Sequence, residues 1–514
     1  MNDTLKRLPP PSNPDPSMWV DEAIWGHRLH DEQTPWLVYL EFINIFCYEE
    51  SQGTALFESH GYNKLAYKPA KRPYLRNILF NNPNLDEICR VHSNDTARWK
   101  AWIKKMETVQ GINNPNFSYL KDHFHSFEEF CHIVSIIRST SLETDSNKRW
   151  TSKFVFPYGE SSLYEDLDKK AKTNDRRFFG RTGEMLYLML CRAKRRTELA
   201  KMLKEKTLHK DSVWDTIIRC LQPAGDDSDR SERANTFIPY ESHPSFDKLA
   251  EDWLAILSLD MPGYDALPHL VNLAGLHLIH YQLTISEQVV NRGNPVTLVC
   301  EIVAPKKTLV RELSCETYQE NNLLSTQAVT AYISGIINSE EWKSAILSHD
   351  PFIECLGILK ENVLWPRRAT DYEGPNNQDQ LLADFRTAAL RRHNQHVGNI
   401  HRVYGKNIGL VSRRGTNKLR YAPTDDLLKT LLFANIKKRM ELHFFLQRLW
   451  DRYGIILGDK EGEKILPKDE FDKKAFQANS QRLEQRLLSL GLLNRLSDGC
   501  AYVVNPYYLR GKND

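Results

Sequence analysis

The sequence predicts a mainly α-helical, multidomain protein with minor β-structure and a C-terminal winged-helix-like module. Three observations carry that expectation. The chain has 514 residues, its apolar residues recur at helical spacing, and its last quarter reads as helix, short strand, helical segment, amphipathic helix and hairpin. At this length one hydrophobic core is not enough, so two to four domains are expected. A hydrophobic content of 41% with 26% charged residues is that of a folded protein, not a disordered one. The formal charge is only +3, so attraction to a polyanion must come from a local patch.

The nine cysteines are scattered, odd in number and without a C-x-x-C pair, which argues against a disulfide framework or a closed zinc site. The N-terminus has no apolar core of a secretory signal, and the richest apolar run, LVYLEFINIF at 37–46, carries Glu41 and Asn44. A cytoplasmic protein with no membrane partner is expected.

Along the chain, five prolines make 1–20 an extended, solvated tail. An N-terminal helical domain is expected over 21–222. Its first helix starts at Thr34-Pro35, an N-cap followed by proline at the first helical position, and is apolar nearly all round. FHSFEEFCHIVSIIRST is amphipathic, and 181–206 reads as one helix, launched by a turn between Gly180 and Gly183. An acidic linker follows at 223–246. The middle α+β domain, 247–365, holds helices at 248–258 and 266–283. Two β-like runs follow, 296–303 and 308–313, compatible with a hairpin or with a strand beside a separate element. A second linker covers 366–380.

The span 381–421 is expected as a basic helix and hairpin. From Arg386 to Arg420 it carries Arg386, Arg391, Arg392, Arg402, Lys406, Arg413, Arg414, Lys418 and Arg420 with no acidic residue, and His393, His396 and His401 add latent charge. Cations on a helix and a projecting turn are what phosphate neutralisation uses, because each contact releases condensed counterions. Pairing with acids elsewhere in the fold is the competing reading.

The span 422–514 is the winged-helix-like domain. Thr424-Asp425-Asp426 caps its first helix, 440–454 is its second, and GIILG is a short strand. A third helix over about 472–490 packs Phe476, Leu483, Leu487 and Leu490 inward, and Asp498-Gly499 turns a hairpin. In DNA-binding winged helices the third helix enters the major groove. Asn479, Arg482 and Arg486 are the expected groove-facing residues, with Arg495 near the wing. Glu484 on that helix is unfavourable beside phosphates. The wing, ending in CAYVV, is largely apolar.

Catalytic motifs are absent: no P-loop, GxGxxG, GxSxG or HExxH. The nearest approximations to a nuclease core are Glu301 with Lys306 and Glu341-Trp342-Lys343. Cys89, His92, His123, His125, Cys131 and His132 form one candidate metal cluster, and His269, His277 and His280 share a helix. Core or surface histidines are the favoured reading of the first, and buried histidines bonded to backbone carbonyls fit the second equally well. No catalytic residue, metal or cofactor is expected. The cations of 192–204 are interleaved with Glu198 and Glu205, as on a solvated helix face.

Four stretches, DEAIWGHRLHDEQTPWLVYLEF, RRFFGRTGEMLYLML, IGLVSRRGTNKLRYAPTDDLLKTLLFANI and the closing LEQRLLSLGLLNRLSDGCAYVVNPY, resemble accessory, non-ATPase proteins of bacterial anti-phage defence islands of the Druantia, BREX and DNA-modification-linked kinds. They cover under a fifth of the chain. The resemblance implies work beside separate ATPase, helicase or nuclease subunits. The expected function is that of a DNA-interacting accessory component without catalysis of its own. A cryptic nuclease and a protein–protein scaffold are the alternatives.

Overall fold

A computed structural model describes residues 5–508, apart from 13, 15, 28, 63–64, 69, 83–84, 110, 140–158, 165–179, 209–211, 225–235, 306, 414–417, 469–470 and 498–499. The chain is mainly helical, 63% helix against 6% strand, and its few strands are short. No described helix is long and apolar enough to cross a membrane.

Two long helices, Gly263–Val290 and Leu309–Ile337, form the centre. The first is apolar around most of its circumference and is buried accordingly. Gly275 lets it approach its neighbours closely, since a Cβ there would lie 2.5 Å from Ile408 Cγ2. One core joins residues from Met18 to Val503, drawing Phe42 and Leu186 from the N-terminal third and Leu431, Leu483 and Val503 from the C-terminal module. A second core gathers 75–137 with Tyr164, Ile218 and Leu221, around Trp99 and Trp102. The 366–380 segment begins beside Trp365 and sets Tyr372 against Phe352, so it is tied to the main core.

Several elements depart from the sequence reading. Thr34 takes the N-cap position of the Pro35–Ser51 helix but its side chain makes no capping bond. Glu41, anomalous in an apolar run, is buried and accepts from the Gly183 amide at 2.9 Å and from Gln33 Nε2 at 2.8 Å. It therefore caps another helix, Thr182–Cys191, whose first amides lack partners within that helix. The 181–206 stretch is two helices, Thr182–Cys191 and Arg196–Thr207. Between them Arg192 donates from Nε to Gly61 O at 2.8 Å and from Nη1 to Ile238 O at 3.2 Å.

The run 308–313 is not a strand. Thr308 accepts from the Arg311 amide at 3.2 Å and Glu312 lies in the first turn, so these residues open the Leu309–Ile337 helix. The start of the proline-rich tail is docked, not free: the Leu8 amide donates to Pro239 O at 2.7 Å and the Glu241 amide to Lys6 O at 2.9 Å.

Among the described residues, seven strands form three small sheets. β1 (Leu298–Val299) pairs in parallel with β5 (Ile455–Ile456), and β2 (Val411–Ser412) pairs antiparallel with β3 (Arg420–Tyr421). The third sheet is antiparallel in the order β4–β7–β6, from Arg439–Glu441, Cys500–Val504 and Leu493–Ser497. β4 follows the Asp425–Asn435 helix, β5 follows Leu442–Tyr453, and the β6–β7 hairpin follows the successive helices Asp459–Ile465 and Lys473–Ser489. Thr424 caps the first of these helices, with Leu427 N at 3.4 Å, and Asp472 the last, with Lys474 N at 2.8 Å.

Candidate nucleic-acid interface

The basic 386–420 segment is less uncompensated than its sequence implies. Arg392 is half-buried and donates to Glu22, with Asp21 at 4.0 Å. His393 is buried between Asp21 Oδ1, at 2.8 Å, and Ser325 Oγ, at 3.1 Å. His396 Nδ1 lies 2.9 Å from Asp31 Oδ1. Arg420 is 2% exposed and donates to Glu301 Oε2 at 2.5 Å. His401 is buried, bonded to the Tyr421 hydroxyl at 2.7 Å, and burial holds it down at about 3. Arg392 and Arg420 are thus corrected from phosphate ligands to internal ion-pair partners, because carboxylates distant in sequence meet them in the core. Arg391, Arg402, Lys406, Arg413 and Lys418 are exposed, and Arg402 is steadied by Asn399 Oδ1 at 2.7 Å. Arg414 lies outside the described residues.

The Lys473–Ser489 helix does not present the face expected of it. Asn479 is fully buried. Its Oδ1 accepts from the Ile302 amide at 2.8 Å, and its Nδ2 donates to Cys300 O and Leu457 O, each at 3.0 Å. Arg482 donates to Ile302 O at 3.2 Å, and Arg486 to Asp425 and, at 3.2 Å, to Pro423 O. All three bind the helix to the body, so none of them is groove-facing. Glu484 sits 3.3 Å from Arg495, each answering the other's charge. The exposed stripe is Lys473, Lys474, Gln477, Gln481, Gln485 and Leu488.

A cleft of about 770 Å³ opens where Phe433–Met440 meets the helices Arg196–Thr207 and Pro244–Leu257. Arg195, Lys437, Lys438, Arg439, Arg448 and Arg452 line it, against Glu198, Glu251 and Asp252. Those three carboxylates are already engaged. Glu198 holds Arg195 at 2.7–2.9 Å, while Glu251 and Asp252 hold Arg452 at 2.9 and 2.7 Å. Lys437, Lys438, Arg439 and Arg448 face solvent, with Arg439 laid over the Tyr502 ring at 5.6 Å. The floor is rigid. Asp252 also takes His277 at 2.7 Å and the Tyr453 hydroxyl at 2.8 Å, and Lys248 donates to Arg452 O at 2.8 Å. Burial lowers both His277 and Lys248.

Sequence reasoning overlooked this cleft. Its signal was the Lys437-Lys438-Arg439 run between a capped helix and a strand, short beside the 386–420 segment but opened to solvent by the turn it occupies.

The sequence-level catalytic approximations do not assemble. Glu301 is buried with both oxygens taken, by Arg311 Nε at 2.8 Å and by Arg420, so it cannot hold a metal. Lys306 lies outside the described residues, and Glu341-Trp342-Lys343 sits in the Glu340–Ile346 helix. Cys89 and Cys131 touch at 3.8 Å, but His123 bonds Cys220 O at 2.7 Å. His269 bonds Thr430 Oγ1 at 2.8 Å and His280 bonds Tyr453 O at 2.8 Å. Among the described residues, the one grouping of three ligand-type side chains is His30, Asp31 and His396. No protein-family model matches this sequence, and no curated protein matches it either.

Proposed function

We propose that the chain is a DNA-interacting accessory component of a bacterial anti-phage defence system, acting in the cytoplasm beside ATPase, helicase or nuclease subunits and without catalysis of its own. The cleft carries this reading: Lys437, Arg439 and Arg448 face solvent in a concave surface whose own carboxylates are already bound. A phosphodiester backbone supplies the missing counter-charge, and its contacts position without reading sequence. Arg391, Arg402, Lys406, Arg413 and Lys418 extend the cationic surface.

In this reading 422–508 is a winged helix. The helix–strand–helix–strand–helix–helix–hairpin order and the β4–β7–β6 sheet support that. Base contacts fall to Gln477, Gln481 and Gln485, because glutamine can pair bidentately with adenine. Leu488 and Leu496, 53% and 66% exposed on the same module, favour a second reading, docking onto a partner subunit.

The test is fluorescence anisotropy on a labelled duplex at low salt. Lys437→Ala/Lys438→Ala/Arg439→Ala is expected to weaken binding about ten-fold or more, and Arg413→Ala/Arg414→Ala/Lys418→Ala to weaken it less. Wild-type affinity in both variants sinks the proposal. Absence of duplex binding together with a stoichiometric co-purifying subunit favours docking.

A further inference from the structure

The His30-Asp31 turn and the end of the Gln378–Gln395 helix meet 365 residues apart in sequence, and we infer that His30, Asp31 and His396 form a binding site for a divalent transition metal ion such as zinc. One ligand-type atom from each residue lies within 4.8 Å of the other two. Tetrahedral zinc with bonds of about 2.0–2.1 Å needs ligand atoms about 3.4 Å apart, so small side-chain movements complete the set. Two imidazoles and one carboxylate suit zinc and leave a position open for water, as His396 is 40% exposed.

Three further features favour an ion over a bare histidine–carboxylate pair. The rings of His30 and His396 stack at 3.9 Å and 24°. His396 sits at the C-cap of an 18-residue helix, where the partial negative charge of the helix end favours a cation. The turn is also held in place before any ion arrives. The His30 amide donates to Thr182 Oγ1 at 3.2 Å, the Tyr404 hydroxyl to His30 O at 3.3 Å, and the Gln33 amide to the same carbonyl at 3.2 Å. This site is independent of the cationic cleft, and its success or failure leaves the DNA reading untouched.

The experiment is isothermal titration of the chelator-treated full chain with zinc chloride, paired with cobalt absorption spectra. The wild type is expected to take one equivalent per chain and to give the visible bands of a low-symmetry cobalt site. His396→Gln and Asp31→Asn are expected to weaken that equivalent about ten-fold or more and to remove the bands. His349→Ala, at an exposed histidine away from the cluster, should change neither. Circular dichroism identifies variants that remain folded, and His30→Gln replaces any that do not. A wild type that binds no equivalent, or folded variants that keep the affinity and the bands, overturns the assignment.

Discussion

Glu301→Leu is expected to lower stability by about 3–5 kcal/mol, the largest effect of any single substitution considered. The carboxylate is fully buried and holds two arginines, Arg311 at 2.8 Å and Arg420 at 2.5 Å. Arg420 is itself 2% exposed, so deleting its partner strands a cation in the core. Arg311 retains a bond to Ala304 O at 2.7 Å and some contact with water, so Arg420 decides the cost. An apolar pair of similar volume removes the stranded charge, and Glu301→Leu/Arg420→Met is therefore expected to recover much of the loss. Urea unfolding of both variants measures this. A single variant within about 1 kcal/mol of wild type, or a double variant no more stable than the single, contradicts the ion-pair account.

Acid unfolding is the second large effect. Burial holds His243 and His401 down at about 3, and His269 and His280 at about 4. Unfolded, each titrates near 6.5. Above that pH both states are neutral and stability is full; below it only the unfolded chain takes up these protons. Four protons at about 1.4 kcal/mol per pH unit each make a loss of about 5 kcal/mol per unit. Glu22, raised by burial to about 7 despite Arg392, opposes this with one proton, since its contribution grows as pH falls from 7 to 4.5. His277, also lowered by burial, adds to this uptake, while Glu49 and Glu461, raised by burial, oppose it as Glu22 does; five against three still fixes the sign. Stability should therefore fall steadily from pH 6 to pH 4, with net proton uptake on unfolding. A urea midpoint that stays level from pH 7.5 to pH 5 rules it out.

Local signals placed much of the fold. Apolar periodicity, the Thr424 cap and the hairpin pattern each sit where the chain forms the matching element. Non-local ones were not readable. The strand-like composition of 308–313 yields to the Thr308 cap, a choice between two local preferences. Arg192 breaks a helix by reaching carbonyls of Gly61 and Ile238. The basic segment loses much of its field to Glu22 and Glu301, which lie 370 and 119 residues away from the arginines they pair. The helical spacing of Asn479, Arg482 and Arg486 gives them a common side, and packing against Cys300–Ile302 turns that side inward.

The central claim is that DNA is held by cations left over after the fold has satisfied its own carboxylates. Its most direct test is the slope of log Kobs against log salt for a duplex, in wild type and in Lys437→Ala/Arg439→Ala/Arg448→Ala. Each phosphate contact contributes about 0.9 to that slope. The account predicts a slope shallower by about three in the variant. An unchanged slope, or a wild type whose duplex binding does not depend on salt, contradicts it.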